Sequence, residues 1–452
     1  MLTGLLATAT LLAPVAGAQL PAAPAVLPPS IAPQVEAAPV PRAGDPANLP
    51  PAVAPPSVYP TDPRPLAGEY TESGRRSVVD THLGPPQTIW AGVDYMRYWL
   101  KPTPLPTPLL ANGAGATLVG GGDVDFGSAN GIQATLGVWL NDRHTFGLAG
   151  SGFLLEQQSR SAVVASGAGP LATLVRPTID ALTGKPSAVV VATPPIPGVI
   201  TGGLTGALGV DVGSRLSGFD AYAIANVAYT PTFTFDLQFG GRYLDLDEYL
   251  SITQVSTGFN GTQVPFGGRT YTNATVTVND RFRTRNQFFG GFMGFRSEYR
   301  FGPAFLGLSA RVGIGNNSQT VNVDGSSAVN VPGVAPLPGG VLTAYSPQAG
   351  QPGNIPQFSG QSDANQFAVL SEVGATGGVQ FARWGRLLVG YDFLYLNNVV
   401  RPGLQVDQVV NGRLLPISNT YQGVSGVASP RATGTQGDFY AHGVRIGLEV
   451  QY

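Results

Sequence analysis

Charged side chains that alternate with apolar ones are the groups in this chain whose types and spacing point to chemistry. Asp236 and Arg242 alternate with Phe233, Phe235, Leu237 and Phe239, and Arg296 and Glu298 stand opposite Phe289, Met293 and Phe295. Arg311 lies between Ala310 and Val312, and Arg445 and Glu449 fall among Val444, Ile446, Leu448 and Val450. Glu372 and Asp392 occupy similar segments. Successive side chains of a strand point to opposite faces, so these nine groups share one face and the apolar residues the other. Turned inward within a closed wall, the nine either pair into a plug that stiffens it or line a narrow polar passage. The sequence leaves both readings open.

Other chemistries find less support. Of the three histidines, His82 precedes the alternating region, His144 stands beside a short turn, and His442 shares the face of Val444. None falls on the charged face beside a carboxylate, so no triad or acid–base dyad is assembled and the chain is not expected to be an enzyme. The stretch Gly120-Gly121-Gly122-Asp123-Val124-Asp125 faintly resembles a calcium turn, but as a single copy it reads as a plain loop. No metal or other cofactor is expected, and no glycine-rich run precedes a helix to cradle phosphate. The absence of cysteine excludes disulfides, thiolate chemistry and a lipidated cysteine anchor. A net charge of −2 gives no footprint for nucleic acid.

The elements that would position the charged face follow from composition and connection lengths. Only 12% of residues are charged against 43% hydrophobic, and no run after the first twenty residues is long enough to cross a bilayer as a helix. That combination fits β-structure in lipid, although a secreted sandwich or a disordered Gly-rich protein shares it. Period-two alternation begins near Ile89 and predicts strands over 89–100, 130–140, 144–155, 206–228, 232–249, 284–299, 304–323, 366–381, 386–398 and 439–452. Their connections alternate strictly. Short ones fall at Asn141-Asp142-Arg143, Tyr229-Thr230-Pro231, Arg300–Pro303 and Ala382–Gly385, and long ones over 101–129, 156–205, 250–283, 324–365 and 399–438.

Short periplasmic turns and long extracellular loops are the habit of outer-membrane barrels, and a sandwich has no reason to sort its loops this way. The fold expected is an all-β, antiparallel transmembrane barrel of ten strands, or twelve if a loop hides a hairpin, in the bacterial outer membrane. Tyr229, Phe301, Trp384 and Tyr452 would form a periplasmic aromatic rim, with Trp99, Tyr249 and Tyr395 near the opposite one. The last strand, ending at Tyr452, would engage the barrel-assembly machinery.

Ahead of the barrel, Leu2–Val15 is an apolar run followed by Ala16-Gly17-Ala18, a small-residue cleavage pattern, so 1–18 reads as a signal peptide despite having no preceding Lys or Arg. Residues 19–87 read as an arm. Its stretch from Gln19 to Pro65 holds 15 prolines in 47 residues. Such density favours disordered polyproline II, reaching on the order of 150 Å if fully extended. A spacer is the plainer reading and contact with the cell wall the sharper one. The barrel is assigned to 88–452.

Several of these segments also resemble a known family, the putative beta-barrel porin-7 family of bacterial outer-membrane proteins. The stretches that carry the likeness are Gly131–Leu155, Ser214–Asn226, Gly240–Ile252, Asp280–Gly294, Val389–Asn411 and the final strand from Phe439. The most specific pieces are Arg401-Pro402-Gly403 with Asp407, and Asn286-Gln287-Phe288. The likeness spans roughly 88–452 and none of the arm. His144-Thr145 departs from it, standing where a more amide-rich turn is expected. The resemblance implies a barrel in the outer membrane. It does not by itself imply transport; the inward charged face makes passage of small polar solutes through a narrow charged lumen the expected function, with a plugged structural or adhesive surface protein as its rival.

Overall fold

A computed structural model describes residues 88–452 apart from 168–171, 196–201, 344–359, 424–426, 428 and 432. The signal peptide and the arm expected over 1–18 and 19–87 lie outside the described residues. Ten strands build the wall: β1 (Ile89–Leu100), β2 (Ser128–Trp139), β3 (Phe146–Leu155), β4 (Gly203–Tyr229), β5 (Phe233–Phe259), β6 (Thr275–Phe301), β7 (Ala304–Val329), β8 (Gly360–Ala382), β9 (Gly385–Val400) and β10 (Gln436–Gln451). Each pairs antiparallel with its neighbours in this order, and β10 returns to β1. The Tyr452 amide donates to the Ile89 carbonyl (2.7 Å) and the Ile89 amide to the Tyr452 carbonyl (2.8 Å). The ring is therefore closed. A closed ring leaves no edge of unpaired backbone groups, which is the condition for strands to stand in lipid.

The short connections, at 140–145, 230–232, 302–303 and 383–384, lie at one end. The long ones, 101–127, 156–202, 260–274, 330–359 and 401–435, lie at the other. One expected loop is corrected. The connection expected over 250–283 shrinks to 260–274, because β5 and β6 stay in register out to Thr257 and Thr275. The loops do hide strand pairs, but these build a cap and the ring keeps ten members. Gln158–Ala165 resumes β3 after a short break and pairs with β4 above it.

The long strands reverse their polarity partway up without changing register. On the lower part of β6 and β7 the outward side chains Phe289, Met293, Leu306, Leu308, Val312 and Ile314 are exposed, as a lipid-facing band requires. Higher on β5 and β6 the outward positions become Asp245, Asp247, Arg281, Arg283 and Arg285. The inward positions Leu244, Leu246, Leu250, Ile252, Val278 and Phe282 are apolar and buried. Each long strand thus leaves lipid for water outside while gaining an apolar core inside. Tyr249, expected in the aromatic rim, stands above Asp247 and so beyond the apolar band. Tyr243, whose hydroxyl accepts from Gln287 Nε2 (2.7 Å), takes that level instead.

The upper core is made by the loops. Thr103–Asn112 and Thr117–Val124 of the first loop, Leu174–Asp180 and Pro186–Ala192 of the second, and Val409–Val410 of the fifth form one small sheet. Leu105, Leu109, Leu110, Leu174, Val410 and Leu414 from these loops pack on Leu208, Leu250, Val278 and Val321 of the wall. The cap is folded structure seated in the barrel mouth.

Candidate functional site

The lumen divides into levels, counted along the strands from the short turns. At the lowest, Glu298 gathers three arginines: Arg386 Nη2 at 2.7 Å, Arg300 Nε at 2.8 Å and Arg296 Nη2 at 3.6 Å. Arg386 also reaches Glu449 (3.3 Å) and lies over the Phe305 ring. Asp236 faces the same side, across from Arg296, and accepts from Asn226 Nδ2 (2.7 Å).

Two networks occupy the next level. Fully buried Asp220 accepts from Ser151 Oγ (2.9 Å), Arg242 Nη1 and Arg311 Nη1 (3.3 Å). Arg242 also donates to Glu372, and Arg311 to Gln238 (2.8 Å) while stacking on Tyr222 and Phe292. In the second network Arg445 Nε donates to Asp392 (2.8 Å) and Nη1 lies 3.6 Å from Asp94, while Tyr98 donates to Asp392 (3.1 Å). Glycine makes room for these carboxylates: a Cβ on Gly447 would stand 1.7 Å from Asp94 Oδ1, and one on Gly374 2.5 Å from Asp392 Oδ1. The networks surround a cavity of about 200 Å³, roomy and polar enough for ordered water.

Above them lies a buried apolar level. Tyr98, Phe153, Leu216, Leu244, Phe288, Leu370, Leu394 and Phe439 belong to one buried cluster fed by nine of the ten strands. The remaining strand, β7, supplies Asn317 and Gln319, buried and donating to the Asn398 carbonyl (2.8 and 2.6 Å). Asn286 closes the same level, donating to the Val400 carbonyl (2.8 Å) and accepting from its amide (2.9 Å).

Two ion pairs, each with at most 1% of either side chain exposed, fasten the cap. Arg401 Nε and Nη2 grip Glu248 at 2.6 and 2.7 Å, and Nη2 also reaches Thr103 Oγ1 (3.1 Å) and the Lys101 carbonyl (3.2 Å). Arg176 pairs with Asp280 (2.8 Å), whose other oxygen accepts from the Leu342 amide and Thr343 Oγ1, both at 2.8 Å. One pair ties the first and fifth loops to β5; the other ties the second and fourth to β6. The turn after Arg401 depends on Gly403, where a Cβ would meet the Pro104 carbonyl oxygen at 2.0 Å. Gly403→Ala is expected to cost about 1–3 kcal/mol and to raise the protease sensitivity of 401–435 selectively, read by limited proteolysis.

All nine residues singled out from sequence thus face the lumen. Asp94, Asp220, Arg300 and Arg386 join them, as do the cap residues Arg176 and Arg401 with their wall partners Asp280 and Glu248. Asp94 was within reach of the same alternation, lying between outward Val93 and Tyr95. Arg401 carried a signal only through its Arg-Pro-Gly motif. The described histidines lie outside the lumen. His144 stacks on Trp139 at a short turn, and burial there pushes it below the usual histidine range. His442 stacks on Trp99 and shares a hydrogen bond with the Tyr391 hydroxyl (2.9 Å). Among the described residues no group of three His, Asp or Glu side chains is placed to hold a metal ion.

Solved barrels share the general form at low identity. The outer-membrane protease OmpT of Escherichia coli is 10% identical over 81% of this chain and 97% of its own, with a TM-score of 0.35. The monoaromatic hydrocarbon channel TodX is 7% identical over 82% and 92%, with a TM-score of 0.20. A Pseudomonas aeruginosa FadL homologue is 9% identical over 81% and 90%, with a TM-score of 0.19. At these scores none of the three bears on what this lumen does. No curated protein matches the chain. A family model does: Putative beta barrel porin-7 (BBP7) matches residues 90–452, the whole wall and cap. The chain is an outer-membrane β-barrel of the putative beta barrel porin-7 family.

Proposed function

We propose that this barrel is closed at rest and serves as a rigid, non-enzymatic outer-membrane base that displays its folded cap at the cell surface. The observation that carries this reading is the level of buried side chains above the charged networks, fed by every strand of the ring. A polar solute entering from below would meet packed Phe, Leu and Tyr side chains, and desolvating it there would cost several kcal/mol. Most of the charged groups beneath are paired with one another, which suits a stiffening plug more than a passage.

Single-channel recording of the full chain in a planar bilayer tests it. Wild type is expected to give no discrete steps. A variant with Leu246, Phe288 and Leu394 all changed to Ser is expected to pass current. Discrete steps in wild type would overturn the closed barrel. A gated solute passage is the second reading, favoured by the polar cavity below the seal. It would be supported by wild-type steps that change with Arg311→Ala.

A further inference from the structure

The outer wall carries one strongly charged patch that the closed barrel does not explain. Arg281, Arg283 and Arg285 follow one another at every second position on the outward face of β6, and Arg215 joins them from β4. Asp247 holds Arg283 through two hydrogen bonds (3.0 and 2.5 Å), and Asp245 holds Arg285 likewise (2.9 and 2.7 Å). A guanidinium has five N–H donors, so each of these pairs leaves three unused. Arg215 lies 4.0 Å from Asp247. Arg281 sits across from Asp324 of β7 but makes no hydrogen bond or ion pair among the described residues. Asp211 of β4 shares this face and accepts from Ser161, so four arginines stand against four aspartates and the positive charge is local to the arginine row. The side chains of Arg215, Arg283 and Arg285 are about half exposed. The opposite wall differs: Arg97 is bonded to Ser128, and Lys101 is paired with Asp438.

Directly below the patch the same strand face presents Phe289 and Met293, exposed at 71% and 61%. The surface is therefore apolar at the level of acyl chains and presents a row of half-exposed guanidiniums just above it. We propose that the outer face of β4–β6 binds a phosphorylated glycolipid of the outer leaflet, with phosphate on the arginine row and acyl chains against Phe289 and Met293.

The height of the row selects the class of lipid. Four residues from Phe289 to Arg285 span about 13 Å of strand, or about 10 Å of height at a barrel tilt near 40°. Arg281 stands about 10 Å higher again by the same reckoning. One phosphodiester headgroup meets only the lowest arginine, whereas a phosphorylated saccharide reaches the whole row. A surface pocket of about 440 Å³ beside Arg281 and Arg283 is bounded by Asn322, Asp324 and Gln361, which offer amide and carboxylate partners for sugar hydroxyls. The aspartates orient the guanidiniums for bidentate contact, the geometry in which arginine binds phosphate best.

Native mass spectrometry of the folded full chain, titrated with a diphosphorylated, multiply acylated glucosamine disaccharide, tests the proposal. The combined Arg281→Gln, Arg283→Gln and Arg285→Gln variant is expected to bind at least about tenfold more weakly. Asp247→Asn should bind more tightly, because it adds positive charge, and Arg97→Gln on the far wall should leave binding unchanged. Unchanged binding in the triple variant would overturn the site. Loss of binding in Asp247→Asn would do the same, since it would mean that the ion-pair network matters only structurally. Equal affinity for phosphatidylglycerol would overturn the extended headgroup. Displacement of the glycolipid by inorganic phosphate at similar concentration would make this a site for free anions.

Discussion

Arg401→Ala should lower the stability of the capped barrel by about 3–5 kcal/mol, because it leaves the fully buried Glu248 carboxylate without its charge partner. Neither side chain of this pair is more than 1% exposed. The guanidinium also bridges β5 to Thr103 and the Lys101 carbonyl, so its loss removes one tie between the first and fifth loops and leaves the bond from Gln408 to the Pro108 carbonyl. The expected phenotype is specific. The wall should still resist unfolding in detergent, while the 101–127 and 401–435 segments become cleavable by added protease. Arg401→Met combined with Glu248→Leu should recover much of the loss, since an apolar pair of similar volume leaves no charge to solvate. A double variant as weak as the single one would show that the hydrogen bonds to the first loop, rather than the charge, hold the cap.

Asp220→Ala should cost a similar amount, about 3–5 kcal/mol, and should act on the wall itself. Asp220 is wholly buried and is the shared acceptor of Arg242 and Arg311, with Ser151 on its other oxygen. Removing it leaves two guanidiniums facing each other with only Glu372 nearby. The heat-induced loss of the folded band on a semi-native gel should move to lower temperature by many degrees. Adding Arg311→Met to Asp220→Ala should restore part of it, because one guanidinium then suffices for Glu372. If Asp220→Ala left the transition temperature unchanged, the charged networks would not be the stiffening plug proposed above.

The wall was legible in sequence because lipid imposes a simple rule on it. Phe233, Phe235, Leu237 and Phe239 face hydrocarbon while Asp236 and Arg242 do not, and a period of two states this directly. The rule reverses above Tyr243, where Leu244 and Leu246 turn in and Asp245 and Asp247 turn out. That reversal looks like the end of a strand if alternation is sought with one polarity only, and the connection near 250–283 looked longer than it is for this reason. Asp220 was harder to see because Gly218, Ala221 and Ala223 around it mark neither face strongly. The cap left almost no trace. Arg401 and Glu248 are 153 residues apart, and no local pattern announces a pair at that separation.

The small sheet in the barrel mouth joins residues near 110, 177 and 410, and its Arg401 clasp reaches back 300 residues to Lys101. Such contacts cannot form until the last loop has emerged on the far side of the membrane. The clasp also needs β5 and β9 already set in the wall. The exterior of this protein therefore matures last, as a consequence of finished insertion rather than as a separate event. A surface antibody that recognises only the assembled sheet would report, molecule by molecule, which barrels had been completed.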